Sequence, residues 1–162
     1  MIILGIDPGS ITLGYGLIEK NGNKLTHIEN GAVYMKKEPL SVKLEMIYNQ
    51  LNDVIEEYKP EVMSIENIFY AKNIQSTIKL AHARSIPILL AKQKNMLIYQ
   101  FSPLEVKKSV TGYGRASKFQ MQDMIRMLLK LPEIADEDAN DALGLAMTFA
   151  HLPNFSRDKH RV

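Results

Sequence analysis

The first ten residues, Met1-Ile-Ile-Leu-Gly-Ile-Asp-Pro-Gly-Ser10, constrain the fold more than any other stretch. Ile2, Ile3, Leu4 and Ile6 make a nearly unbroken run of β-branched and aliphatic side chains, the pattern of a strand covered on both faces. Asp7 ends the run, and Pro8-Gly9 supply the fixed and the permissive φ of a sharp turn. A carboxylate is thereby expected at the mouth of a sheet, where α/β folds bind ligands. Taken alone, the stretch leaves two readings open: Asp7 serves chemistry, or it only opens a turn, as Asp before Pro-Gly commonly does.

At 162 residues, 46% hydrophobic and 23% charged, the chain can bury a core but has no room for two substantial domains. We expect one domain over residues 1–152 and a frayed polar tail over 153–162. No apolar run is long enough to span a bilayer and no signal-peptide pattern occurs, so a cytoplasmic protein without membrane contact is expected. Zero cysteines exclude disulfides, thiolate zinc sites and a cysteine nucleophile, leaving oxygen or histidine ligands for any metal. A net charge of +2 permits a nucleic-acid partner without arguing for one.

Leu13 to Glu19 and Lys24 to Met35 read as strands joined at Asn21-Gly22-Asn23, so the first three strands should run antiparallel in order. Apolar residues at Leu40, Leu44, Ile47, Tyr48, Leu51, Ile55 and Tyr58 mark one face of a helix that Lys59-Pro60 ends. Short strands at Glu61 to Glu66 and Met96 to Phe101 each follow a helical pattern, which places them parallel to the first strand through crossovers. The helix of about Asn73 to Lys94 contains Pro87, which predicts a kink or break near Arg84 to Pro87. Ser102-Pro-Leu-Glu105 and Ser117-Lys-Phe-Gln120 are capping boxes, opening helices that stop at Gly112-Tyr-Gly114 and before Pro132. A last helix should run from about Asp136 to His151.

The acids carry the chemistry. Glu66 ends its strand as Asp7 ends the first, so neighbouring parallel strands would present both carboxylates at one sheet edge. Asp138 and Asp141, three apart on a helix, share a face. Four converging carboxylates are costly unless a cation compensates them, and oxygen-only ligands suit Mg²⁺ or Mn²⁺. Two such ions about 3.5–4 Å apart can activate water and stabilise a leaving oxygen in phosphodiester hydrolysis. The alternative for Asp138 and Asp141 is a solvated first helical turn that the helix dipole favours, and for Glu66 a strand end in water.

Asp7-Pro-Gly-Ser10, Glu66-Asn-Ile-Phe-Tyr-Ala-Lys-Asn73, Val106-Lys-Lys-Ser-Val-Thr-Gly-Tyr-Gly-Arg-Ala-Ser-Lys118 and Asp138-Ala-Asn-Asp-Ala-Leu143 together resemble the RuvC family of Holliday-junction resolvases, in order and with family spacing from Met1 to about His151. The resemblance implies a ribonuclease H-like α/β fold, a five-stranded mixed sheet flanked by helices. It further implies that Asp7, Glu66, Asp138 and Asp141 hold Mg²⁺, two ions per site, for cutting a four-way DNA junction by paired symmetric nicks in recombination and repair. A homodimer and the branch-migration partners RuvA and RuvB come with the same resemblance.

Lys107 and Lys118 match family positions that contact DNA, and Lys108 and Arg115 add charge to the same segment, which suits phosphate binding. Phe69 matches a family aromatic linked to bases at the crossover, where unstacked bases offer π-faces. His82 and Ser85 depart from the family's Gln and Gly, which leaves the second long helix the least transferable part. Two other classes compete: a junction-binding module without catalysis, and an actin-like ATP-binding domain, against which the chain's length and the lack of a Walker-type loop both argue.

Overall fold

The computed structural model describes residues 1–67, 74–153 and 158–162. Five strands form one sheet in the order β3-β2-β1-β4-β5: β1 (Ile2–Asp7), β2 (Thr12–Asn21), β3 (Lys24–Tyr34), β4 (Val62–Glu66) and β5 (Leu97–Phe101). β1 pairs antiparallel with β2, and β2 with β3, while β4 runs parallel to both β1 and β5. The mixed sheet expected from the strand pattern is present. Gly22, at φ 59°, turns the two-residue loop between β2 and β3.

β1 is central, and its residues 3–6 are buried on both faces. Alternation along the strands divides two cores. Leu4, Ile6, Leu13, Leu17, Met63 and Ile65 face α1 (Leu40–Tyr58) and α2 (Ile74–Gln93). Ile3, Ile18 and Val62 face α3 (Pro103–Thr111), α4 (Lys118–Leu129) and α5 (Glu137–His151). By the same parity Gly5 and Asp7 of β1, and Ser64 and Glu66 of β4, belong to the α5 face. Ser64, fully buried, donates from Oγ to the Leu145 carbonyl at 2.6 Å and so ties β4 to α5.

α5 lies closer to the sheet than side chains would allow. A Cβ on Gly5 would stand 1.9 Å from the Ala142 carbonyl oxygen, and one on Gly14 would stand 2.0 Å from that of Asp138. Glycines beneath and Ala139, Ala142 and Ala146 above remove the spacing layer between helix and strands.

Three expectations change. α2 runs through Pro87 as one helix, without a break. Pro87 and Ala83 are both buried, so the missing bond sits inside the core-facing turn, and packing of Ala83 before the proline and of Leu90 and Ala91 after it holds the helix. Leu40 and Tyr48, expected on the apolar face of α1, lie at the surface, and Ile74, Ile78 and Leu89 of α2 are exposed as well. The two departures on α2 are locally satisfied: the Ser85 hydroxyl donates to the His82 carbonyl at 2.7 Å, and both residues face solvent. The tail expected to fray is docked at its described end. The Val162 N–H donates to the Ile98 carbonyl at 3.0 Å, Arg161 bridges to Tyr99, and the His160 ring lies 4.8 Å from that of Phe101. Those bonds cover part of the outer edge of β5, which would otherwise be unpaired.

Replacing Gly5 with Ala should lower stability by about 2–3 kcal/mol, because the clash is with backbone and cannot be relieved by a rotamer change. Urea unfolding checks this; an unchanged midpoint would contradict the close approach of α5.

Candidate active site

Asp7 and Glu66 stand side by side because β1 and β4 are parallel and in register through Ile6 and Ile65. Asp141 lies on the α5 turn that begins with the Asp138 carbonyl over Gly14, one residue before Ala142 over Gly5. Asp7, Glu66 and Asp141 line one cleft of about 110 Å³ with Lys107, Pro103, Val106, Met121 and Leu145. Asp138 is half-buried, outside the lining of this cleft, but its charge still acts on Asp7. The structure thus gathers three of the four expected acids around one hollow and leaves the fourth at its margin.

The turn after β1 is fastened from outside. Lys43 of α1 donates from Nζ to the Ser10 carbonyl at 2.6 Å, and the Met35 N–H to that of Ile11 at 2.8 Å. The end of β4 is braced by Arg84, a residue the sequence reading valued only as part of the predicted kink. Its Nε donates to the Glu66 carbonyl at 3.0 Å and its Nη2 to the Gln100 side-chain oxygen at 2.9 Å. An arginine one turn before a core-facing proline, on a helix whose inner face is otherwise apolar, was the available signal. At the start of α5, the Tyr34 hydroxyl donates to Asp136 Oδ2 at 3.1 Å, so the N-cap carboxylate serves β3 instead of capping its own helix.

The electrostatics show an unpaid excess of negative charge. Burial, then the charges of Glu66, Asp141 and Asp138, raise the Asp7 pKa from its usual 3.8 to about 8. At neutral pH Asp7 therefore keeps its proton, and its side chain hydrogen-bonds with that of Glu66, holding back the rise that burial and Asp141 impose on Glu66. Asp141 is also raised, mainly by burial, while Lys118 opposes the shift. Lys118, the first residue of α4, carries the compensating charge: its ammonium pairs with Glu137 and lies 3.5 Å from Asp141 Oδ2. Among the described residues no three carboxylates or histidines are drawn in as a ready-made metal cage. The donor set is nonetheless all oxygen, and a carboxyl kept protonated by its neighbours is what a hard divalent cation would relieve.

Of the expected DNA contacts, Lys107 lines the cleft and Lys118 reaches over it. Arg115 is exposed in the turn between α3 and α4. Lys108 points elsewhere, into a neighbouring hollow with Glu105, His151 and His160. Phe69 lies outside the described residues.

A family profile described as crossover junction endodeoxyribonuclease RuvC matches residues 3–149. The chain belongs to the RuvC family. It is 50% identical over 152 residues to the crossover junction endodeoxyribonuclease RuvC of Syntrophotalea carbinolica, covering 93% of this chain and 94% of that protein. Its identity to the RuvC of Geobacter sp. strain M21 is 46% over 157 residues, covering 96% of each. The structure of T. thermophilus RuvC in complex with Holliday junction substrate superposes with a TM-score of 0.91 at 26% identity, covering 100% of this chain and 99% of that one. The expected RuvC resemblance and its ribonuclease H-like sheet are both met.

The raised pKa sets a pH dependence. Between pH 4 and 8 the folded chain holds a proton on Asp7 that the unfolded chain has released, so raising the pH through this window removes stability. In chelator, the thermal midpoint should fall from pH 5 to pH 8.5, and Asp7→Asn should remove much of that fall. Parallel curves for the two proteins would contradict the assignment.

Proposed function

We propose that this chain resolves four-way DNA junctions, as a divalent-metal-dependent endonuclease that nicks two symmetry-related strands. The observation carrying this reading is the cleft in which Asp7, Glu66 and Asp141 meet at the ends of two parallel strands and under α5, in a chain of the RuvC family. A cleft for a phosphodiester backbone needs concentrated negative donors for metal beside positive groups for phosphate, and Lys107 and Lys118 stand at the same place.

In this reading Asp7, Glu66, Asp138 and Asp141 hold the metal, with Mg²⁺ as the resident ion and Mn²⁺ as a substitute. Bound metal would supply an activated water and charge stabilisation at the leaving oxygen. The chain's own residues prepare that site. Asp7, which holds a proton beside Glu66 and Asp141, would be one of the metal-holding carboxylates once that proton is lost. Arg84 fixes the strand end that carries Glu66, and Lys118, held by exchangeable pairs with Glu137 and Asp141, is placed to meet a substrate phosphate. Lys107 holds a neighbouring phosphate, and Arg115 adds charge along the strand's path. Phe69 is assigned to base contact at the crossover, and Lys108 to phosphate outside the cleft.

Two cuts on opposite strands of a four-way junction call for a two-fold enzyme, so a homodimer is part of the proposal. Exposed Ile74, Ile78 and Leu89 on α2 support association with a second copy. The place of action is the cytoplasm, where chromosomal junctions arise, with RuvA and RuvB delivering the enzyme. Among the described residues no helix is long and apolar enough to cross a membrane.

Incubating the protein with a synthetic four-way junction and a matched linear duplex should give paired nicks on the junction alone, with Mg²⁺ and not with chelator. Asp7→Asn should cut at least about 100-fold more slowly while binding the junction as well as the wild type, since the loss falls on transition-state stabilisation. Unchanged nicking by this variant would overturn the assignment; loss of binding together with nicking would favour a structural role for Asp7.

A further inference from the structure

Beside the catalytic cleft, on the other side of the first turn of α4, lies a second groove of about 280 Å³. Tyr113 and Phe119 line it with 60% and 68% of their surfaces exposed, and Thr111 and Gln120 supply polar edges. Large rings are rarely left this open without a partner, and two in one groove make a patch rather than scatter.

Both rings ride on fixed backbone. Thr111 Oγ1 accepts from the Tyr113 N–H at 3.2 Å, and Gly112, at φ 75°, caps α3 directly before Tyr113. Phe119 is the second residue of α4, inside the capping box in which Ser117 and Gln120 satisfy each other's N–H groups. Neither ring packs into the core on the far side of its element, which Val110, Met121 and Ile125 fill. The groove is therefore formed in advance of any occupant.

Its surroundings indicate what that occupant is. Lys118 immediately precedes Phe119 and lies 3.5 Å from Asp141, so one cation stands between the groove's ring and the cleft's acids. Arg115 stands exposed between the two rings in sequence, and Lys107 lines the cleft one turn of α3 before Thr111. Cations spaced along a path with exposed aromatic rings at its side are the elements that hold a strand by its phosphates and stack its bases. The groove's one charged lining residue, Asp123, is paired with Arg126, so the positive charge beside the groove lies toward the cleft, at Lys118 and Arg115.

We propose that this groove is a stacking subsite for an unpaired nucleobase, with Tyr113 and Phe119 as its rings, next to the strand held in the cleft. The proposal rests on the DNA-cutting reading above and adds to it a base-binding position beyond the contact assigned to Phe69. A base lifted from the stack at a branch point would sit there, and the polar edges of Thr111 and Gln120 would face its rim.

The chain has no tryptophan, so Phe119→Trp and Tyr113→Trp each introduce a single indole reporter. Each is titrated in chelator with fluorescein-labelled oligo(dT) and with an abasic strand of equal length and charge, while anisotropy follows binding. The subsite predicts strong quenching of indole emission by oligo(dT), none by the abasic strand, and affinity for oligo(dT) about fivefold or more weaker in Phe119→Ala but retained in Phe119→Trp. Equal response to both strands, saturated binding with unchanged emission, or no binding of oligo(dT) would each overturn it. Thermal midpoints confirm that the variants are folded, and the exposed positions make them tolerant of change. Junction cleavage by the wild type is scored separately. Cleavage with a silent indole sinks the subsite alone, whereas a quenched indole without cleavage keeps the subsite and sinks the resolvase reading.

Discussion

The contact between the α5 backbone and the glycines of β1 and β2 sets the geometry of everything else. With Ala142 seated on Gly5 and the Asp138 carbonyl on Gly14, the helix cannot rise or slide without opening a void or a clash. Side-chain parity then does the rest. Gly5 and Asp7 share a face, two residues apart, so the segment of α5 touching the glycine must bring its acids over the aspartate. Ser64 and Glu66 repeat the relation on β4, where the Ser64 bond to Leu145 takes the place of the glycine contact.

Such proximity has an electrostatic cost. Asp7 answers it by keeping a proton, and Asp141 by accepting Lys118 as a neighbour. Both answers are reversible. A site proposed to receive a doubly charged ion is better left under strain from like charges than satisfied by a permanent ion pair, and the partly exposed Lys118 pair is of the weak, exchangeable kind. The rigid parts, Arg84 on the Glu66 carbonyl and Lys43 on the Ser10 carbonyl, fasten backbone and leave the carboxylates free to rearrange.

Much of the fold was legible in the chain because its signals are local. The unbroken apolar run of β1, the Gly22 hairpin and the two capping boxes each depend on residues within a few positions of one another, and each element lies where they place it. The acids were legible as strand ends and a helical pair that could converge, but the contact that brings α5 over the strand ends was not, since it turns on Gly5 and Gly14 contacting residues more than a hundred positions away. A glycine in a strand announces a close approach without naming the partner. Arg84 escaped for the same reason. Pro87 misled because a proline penalty is a local quantity and the packing that overrides it is not. The end of the tail was read as frayed from its polarity, whereas its docking uses backbone bonds to the open edge of β5, which composition does not encode.

The central claim is that carboxylates from two strand ends and one helix form a single cation site. Anomalous scattering from crystals soaked in Mn²⁺ tests it most directly. The account predicts peaks between the strand-end acids Asp7 and Glu66 and the α5 acids, with Lys118 displaced from Asp141. Peaks bound elsewhere on the surface, or none at these carboxylates under saturating Mn²⁺, would contradict it.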